Sequence, residues 1–329
     1  MTWPIPLLNI LADGQCHPLA ELSQRLAVTE ITLKQWLEQL PTLGVYTECI
    51  PDCGYRLDAP IDWLDADQVT ALLPGWAHGL VKQLEIHPIL KSTNAYLIER
   101  HASLAPGVVC AAEWQSAGRG RRGRHWCSPF AANIYMSCFW RYPTLQHVMG
   151  LSLAVGVAVV QALQQLDFQG ITLKWPNDIY YQQQKLGGVL IETTPDAGVV
   201  VGLGLNVRMS TAQAQAVDQP WTALHLVAGA EPGHLSRNYL LATLVAHIMR
   251  VCAEFAEQGL AAYLPAWRRL DGCQGRWATL RCAGQTVEGR LLPIDEQGLL
   301  GLETADGEVH RFASGEISHL RSQLDAPAG

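Results

Sequence analysis

Lysine is the scarce residue of this chain. The 329-residue sequence holds five, Lys34, Lys82, Lys91, Lys174 and Lys185, against eighteen arginines. Charge of either sign is thin, at 16% of residues against 49% hydrophobic, which excludes a disordered chain. The net charge of −7 excludes a bulk electrostatic pull on nucleic acid. No CxxC pair occurs among the nine cysteines (Cys16, Cys49, Cys53, Cys110, Cys127, Cys138, Cys252, Cys273 and Cys282). Cys49 and Cys53 stand four apart with no second pair at metal-ligand spacing, so free, buried thiols in a reducing compartment are expected, with no tightly bound metal. The opening residues Met1 to Pro6 show no basic region followed by an apolar run, which argues against a signal peptide. The most apolar stretch, Leu151 to Leu163, is too short for a bilayer and is interrupted by Ser152, Gly156 and Gln161. A cytoplasmic protein without membrane association is expected.

The length allows two or three domains. Three helical stretches are expected at Leu7–Ala12, Leu19–Leu26 and Glu30–Leu40, the last with Ile31, Leu33, Leu37 and Leu40 near the helical period and Thr29 as N-cap. Only Ala27-Val28-Thr29 separates the second from the third, the spacing of a helix-turn-helix. A hairpin follows, Val45–Ile50 and Tyr55–Leu57 around Pro51-Asp52-Cys53-Gly54, so residues 1–62 read as a winged helix. Residues 63–83 read as a linker with a helix at 63–73. Over 84–271, strand-like runs (84–87, 108–114, 134–140, 171–175, 189–192 and 199–205) mix with helical patterns (94–101, 151–166 and 239–257), a domain of α/β or α+β type and catalytic size. Residues 210–219 are either a short helix or a mobile loop. From 272 to 329 short strands separated by turns (277–282, 286–294, 299–304, 309–312 and 317–320) have the size of a small SH3-like barrel.

Three features carry chemistry. Gly118 to Arg124 reads Gly-Arg-Gly-Arg-Arg-Gly-Arg. An isolated run of this kind is ordinarily a solvated basic patch. Here Trp114-Gln115 precedes it and Trp126-Cys127-Ser128-Pro129-Phe130 follows, which is not how a tail is built. Glycines let the backbone approach a ligand, and guanidinium forks grip a carboxylate or phosphate. The second feature is Lys174-Trp175-Pro176-Asn177-Asp178 at a strand end, followed by Lys185-Leu186-Gly187-Gly188. A tight turn over a buried Trp175 explains the first half alone; the two lysines add charge that can reach a ligand. The third, Gly202-Leu203-Gly204-Leu205-Asn206, completes neither a Walker nor a GxGxxG pattern, and glycines for close strand packing explain it equally well.

Together with Ser92-Thr93-Asn94, these motifs resemble, in order and spacing, the bifunctional biotin–protein ligase and biotin operon repressor family, over about Leu8 to Arg321. The neighbouring lipoate ligases share the fold but differ in these motifs. The resemblance implies an α+β multidomain protein: an N-terminal winged helix-turn-helix, a central class II-synthetase-like ligase domain with a mixed sheet, and an SH3-like C-terminal barrel. It implies activation of biotin by ATP with Mg²⁺ to biotinyl-5′-AMP, then transfer to a lysine of the biotin carboxyl carrier protein. Biotin contacts fall by resemblance on Ser92, Thr93, Asn94, Gln115, Arg119, Gly120, Arg121, Lys185 and Gly188. Contacts to ATP and the adenylate fall on Arg121, Arg124, Trp126, Lys174, Asn177, Asn206, Trp221 and Arg321. Catalytic roles go to Lys185, Arg121 and Asp178, the last as base or orienter of the incoming amine; Mg²⁺ would come with ATP, without an assigned protein ligand. A homodimer in the presence of biotinyl-AMP and a biotin operator DNA are further implied partners.

The N-terminal region departs from the pattern. DNA contacts would fall on the helix-turn-helix Leu19 to Glu38, with Lys34 and Arg56. Yet residues 1–60 set Arg25, Lys34 and Arg56 against Asp13, Glu21, Glu30, Glu38, Glu48, Asp52 and Asp58, a net −4. DNA affinity rests largely on phosphate neutralisation. The alternative is a ligase whose N-terminal domain is structural.

Overall fold

The computed structural model describes residues 4–227, 236–282 and 284–321, with the side chains of His319 and Arg321 outside the described set. The chain begins with α1 (Ile5–Leu11), α2 (Leu19–Leu26) and α3 (Glu30–Gln39). Leu7, Leu8, Leu11, Leu22, Leu33 and Leu37 on these helices, with Leu40 in the turn that follows α3, form one apolar cluster. Ala27, left-handed at φ 52°, ends α2, and the Thr29 hydroxyl accepts from Thr32 N at 3.2 Å to start α3, so the turn between them is as tight as its three residues require. The hairpin β1 (Thr47–Ile50) and β2 (Gly54–Leu57) closes the unit. Its turn is fastened to the segment before α2 by Tyr55 N to His17 O and His17 N to Tyr55 O, both 2.9 Å. Gly54, at φ 128°, permits this, since a Cβ there would lie 2.1 Å from His17 O.

That contact corrects the expectation for the cysteines. Cys16 and Cys53 are brought together as a disulfide with Cα atoms 6.0 Å apart. Of the free cysteines, only Cys110, Cys138, Cys252 and Cys273 are buried; Cys49 is exposed and Cys127 and Cys282 are half-buried. Spacing along the chain carried no sign of the pair, because 37 residues separate its members and only the hairpin's return joins them.

After α4 (Ala66–Leu72) comes a seven-stranded mixed sheet: β3 (Gln83–Leu90), β4 (Val108–Gln115), β5 (Ile134–Arg141), β6 (Ile171–Lys174), β7 (Asp178–Tyr181), β8 (Gln184–Thr193) and β9 (Gly198–Leu205). Its order is β3-β4-β5-β9-β8-β7-β6, parallel only between β3 and β4, where α5 (Thr93–Arg100) makes the crossover. One face carries α4, α6 (Leu151–Gln165), α7 (Arg237–Gln258) and α8 (Leu264–Leu270) over the main core. Leu97 of α5 packs on the other face, against Val108, Cys110, Phe139 and Val200. By length and apolarity α7 alone among the described helices could cross a bilayer, but 67% of that stretch is buried in the protein, packed along α6. β7 and α8 were not expected from the sequence: β7 is four residues long, and α8 follows a short 3-10 turn with Pro265 in its first turn. Residues 210–219 form turns, without a helix.

The C-terminal unit is a five-stranded antiparallel sheet of β10 (Trp277–Cys282), β11 (Gln285–Leu291), β12 (Leu300–Glu303), β13 (Val309–Phe312) and β14 (Glu316–Arg321), in the order β13-β12-β11-β10-β14. It is fixed to the large sheet by Trp175, buried, whose indole donates to Gly298 O at 3.1 Å. The N-terminal unit is fixed at another point. There the buried Arg237 guanidinium, at the start of α7, reaches Glu113 at 2.7 Å, Asn133 O at 2.8 Å and Asp62 O at 2.6 Å. Glu113 also accepts from Leu64 N at 2.7 Å, so the chain at 62–64 is tied to the buried Arg237–Glu113 ion pair.

Candidate active site

On the α5 face of the sheet, glycine replaces side chains along the inner strands, and a cleft opens. Gly202 and Gly204 of β9 are required by what lies on them. A Cβ at Gly202 would stand 2.1 Å from Asn94 Oδ1, and one at Gly204 would stand 2.4 Å from the Trp126 ring. The Gly-Leu-Gly of the third motif is therefore there for close approach of site side chains, not only for strand packing.

The inner end of the cleft is a neutral hydrogen-bonding pocket at the N-terminus of α5. Ser92 caps the helix. Thr93 N donates to Gln115 Oε1 at 2.9 Å, and Gln115 Nε2 donates to Ser128 at 3.1 Å. Asn94 donates through Nδ2 to Glu192 Oε2 at 2.8 Å and Leu190 O at 3.3 Å, and its Oδ1 lies 2.6 Å from the hydroxyl of buried Ser137. Two acceptors on one side settle the amide: Nδ2 must face Glu192 and Leu190, which leaves Oδ1 as an acceptor.

The outer part is cationic. Arg119, Arg121, Arg122, Arg124, Lys174 and Lys185 all line it, with Asp178 and Glu316 as the lining carboxylates. Lys185 Nζ lies 2.9 Å from Asp178 Oδ1 and 5.6 Å from the centre of the Trp126 ring. Arg121 donates to Asn177 Oδ1 at 3.0 Å, and Asn177 Nδ2 in turn donates to Val189 O at 2.8 Å. Arg119 pairs with Glu192 at 3.1 Å, and Arg124 pairs with Glu316 of β14. Burial disfavours the charged forms of Arg121 and Lys174 and lowers both pKa values; for Arg121 the neighbouring Arg122 adds to this. The contact with Glu316 raises Arg124, and Glu316 is lowered in return. Lys174 Nζ is 3.3 Å from the Tyr180 hydroxyl. Such a set, partly desolvated and with cations in excess, suits an anion that gains charge during reaction.

A second chamber continues past Arg124, His125, Trp126 and Lys185 and is lined by Asn206 and Trp221. Backbone pairing brings these residues together: Lys185 N donates to Pro220 O at 3.0 Å, Asn206 N to Leu186 O at 2.9 Å, and Asn206 Nδ2 to Thr222 O at 3.0 Å.

Thus Ser92, Thr93, Asn94, Gln115, Arg119, Gly120, Arg121, Arg124, Trp126, Lys174, Asn177, Asp178, Lys185 and Gly188 border the first chamber, and Asn206 and Trp221 the second. The Arg321 side chain lies outside the described residues. Lys34 and Arg56 are in the N-terminal unit; Lys34 is exposed on α3, while Arg56 is paired with Glu48 at 2.8 Å across the hairpin. Sequence reasoning missed Ser137, Tyr180, Glu192 and Glu316. Alternation along β8 offered one signal, since Gly188, Leu190 and Glu192 share a face.

Residues 86–206 match the biotin/lipoate A/B protein ligase family, and residues 279–320 match the biotin protein ligase C-terminal domain. The chain is 37% identical over 327 residues to the bifunctional ligase/repressor BirA of Escherichia coli K12, covering 98% of both chains. It is 35% identical over 276 residues to the biotin–[acetyl-CoA-carboxylase] ligase of Mycobacterium tuberculosis, covering 81% of this chain and 98% of that one. Among solved structures, the biotin protein ligase of Aquifex aeolicus in complex with biotin and ATP superimposes with a TM-score of 0.63 at 27% identity, over 73% of this chain and 99% of that one.

Proposed function

We propose, from the premise that this chain belongs to the biotin–protein ligase family, that its cleft activates biotin with ATP and transfers it to a lysine of the biotin carboxyl carrier protein of acetyl-CoA carboxylase. The observation that carries this is the meeting of a neutral pocket, Ser92 to Asn94 with Gln115, and four cations, Arg121, Arg124, Lys174 and Lys185, in one cleft. The first suits a ureido head, which offers one acceptor and two donors. The second suits a carboxylate and a phosphate that must be brought together against their repulsion.

In the first step a biotin carboxylate oxygen bonds to the α-phosphorus of ATP, the bond to the β-phosphate oxygen breaks, and pyrophosphate leaves. Lys185 and Arg121 hold the carboxylate and the charge on the α-phosphoryl oxygens; Lys174 and Arg124 take the departing phosphates. Asn206 and Trp221 line the nucleoside end. In the second step the carrier lysine amine attacks the acyl carbon, AMP leaves, and the amine gives up a proton. Asp178, held by Lys185, faces the cleft where it can orient that amine. Mg²⁺ is read as part of the MgATP substrate, with no protein ligand assigned; Asp178 and Glu316, the carboxylates lining the cleft, are both engaged by cations.

The helices and hairpin of residues 1–62 are read as a winged helix that binds the biotin operator as a biotinyl-AMP-dependent homodimer, and residues 272–329 as an SH3-like barrel joined to a ligase domain at 84–271 through the linker 63–83. The full-length match to a ligase/repressor favours this second role; the acid surplus around Lys34 opposes it. Burial of α7 accounts for its apolarity, and a cytoplasmic enzyme remains the reading.

The test of the ligase is pyrophosphate release from ATP: it should require biotin and ignore lipoate, and release with neither or with lipoate alone would refute the reading. The test of the repressor is a gel shift with DNA upstream of the biotin-synthesis genes, with and without biotinyl-AMP. No shift in either state would end that claim.

A further inference from the structure

Glu192 lies outside the lining of the cleft, yet a single oxygen of its carboxylate serves both parts of it. Oε2 accepts from Asn94 Nδ2 at 2.8 Å and from Arg119 Nη2 at 3.1 Å. Asn94 belongs to the neutral pocket at the start of α5; Arg119 is the first arginine of the loop that supplies the cations. The side chain is half-buried, on the face of β8 that also presents Gly188 and Leu190 to the cleft. A carboxylate only accepts, so the two donors are not interchangeable with other roles.

We propose that Glu192 is a positioning residue that couples occupancy of the head pocket to closure of the arginine loop. This deepens the ligase reading and rests on it. Glu192 holds the Asn94 amide with its nitrogen turned away from Ser137, so that Oδ1 is the group offered to a ligand N–H. The same oxygen anchors Arg119. A loop that opens takes a guanidinium away from a half-buried charge and leaves Asn94 as its one remaining side-chain donor among the described residues. A ligand that fixes Asn94 steadies the acceptor on which the loop closes. The loop's other pairs do not reach the head pocket: Arg121 is held by Asn177 and Arg124 by Glu316. Glu192 therefore carries recognition of one end of the substrate to the loop that covers the other.

The full-length protein, Glu192→Gln and Glu192→Ala separate the two bonds. Three readouts are needed: the rate at which trypsin cuts within Gly118–Arg124, with and without biotin; KM and kcat for biotin in pyrophosphate release; and labelling of a bystander protein by escaped biotinyl-AMP. In the parent protein biotin should slow the cut. Glu192→Gln keeps a carbonyl for Asn94 but offers Arg119 no charge. It should hold KM for biotin within about two-fold, while loop cleavage and bystander labelling rise by roughly two- to ten-fold, the range of one hydrogen bond. Glu192→Ala should raise KM as well, by about ten-fold. If the parent is active and Glu192→Gln cleaves and leaks as the parent does, or if both variants lose kcat and thermal stability together without a split between KM and leak, the coupling is wrong and the ligase reading stands. If the parent releases no biotin-dependent pyrophosphate, the ligase reading fails and takes this inference with it.

Discussion

In the cleft six cations, four of them near-consecutive arginines of one loop, face two lining carboxylates. In residues 1–60 three cations stand among seven acids, all seven exposed. Both regions pair arginine with glutamate: Arg124 with Glu316 and Arg119 with Glu192 in one, Arg56 with Glu48 and Arg25 with Glu21 in the other. The difference lies in what remains after pairing. The cleft keeps surplus positive charge, some of it desolvated, next to a neutral pocket. The N-terminal surface keeps surplus negative charge in open solvent, where pairs are weak and screened. A ligand anion entering the cleft meets cations already in place; a DNA phosphate approaching the hairpin must first compete with Glu48.

The two regions share one segment, and breaking it gives the largest expected effect. Phe130 follows the arginine loop by six residues but belongs to the apolar cluster of the N-terminal unit, edge-on to Trp63 at 5.5 Å. Phe130 N donates to Leu43 O at 2.8 Å, and Gly44 O accepts from Gln213 Nε2 at 2.7 Å, beside the second chamber. Phe130→Ala should cost about 3–5 kcal/mol in denaturant unfolding. It should also raise KM for ATP, because the loop segment carrying Trp126 loses its anchor. Unfolding of the N-terminal unit with ATP kinetics unchanged would show the regions to be independent.

Next is Lys185→Gln, expected to lower kcat/KM for biotin-dependent pyrophosphate release by about 10²–10³, as for loss of one preorganised charge donor. Lys34→Gln, the matching change in the other region, should leave that rate alone. Equal, small effects would remove the contrast between a cleft cation and a surface one.

Acids differ between the regions too. Asp271, at the junction of the ligase sheet and the C-terminal sheet, is raised by burial to about 6, although it accepts from Cys273 N at 2.8 Å. A carboxyl raised in the folded state stabilises below its unfolded pKa and loses that contribution as pH climbs to about 6. Asp271→Asn should therefore match the parent near pH 4 and gain on it up to about pH 6, by about 2–3 kcal/mol, then level off. Thermal melts across that range read it; a constant difference would place the burial cost elsewhere.

Much of this was legible in the sequence because the signals were local. The capped α3, the hairpin, the apolar α6 and α7 and the strands β10 and β13 follow from periodicity and turn residues within a few positions. Gly118–Arg124, Lys174–Asp178 and Lys185–Gly188 are contiguous motifs whose neighbours exclude a tail. What stayed hidden depends on chain return. Glu192 lies 73 residues from Arg119, Glu316 nearly 200 from Arg124, and Cys16 meets Cys53 only through β1 and β2. Glycine at 202 and 204 was visible, but the reason for it, Asn94 and Trp126 lying on the strand, is a contact between distant elements.

The smallest effect sharpens the comparison at its weak side. Glu48 holds Arg56 through two contacts, at 2.8 and 3.2 Å, both on exposed side chains. Such a pair adds at most about 1 kcal/mol to stability, so Glu48→Gln should leave the fold intact. It frees Arg56 and removes one negative charge from the hairpin. If the hairpin meets a DNA backbone, log affinity against log salt should steepen by about one phosphate contact, and binding at low salt should tighten several-fold. If the slope does not change, Arg56 is not a DNA contact, and the hairpin's acid surplus then marks a unit that serves the ligase through Phe130 rather than an operator.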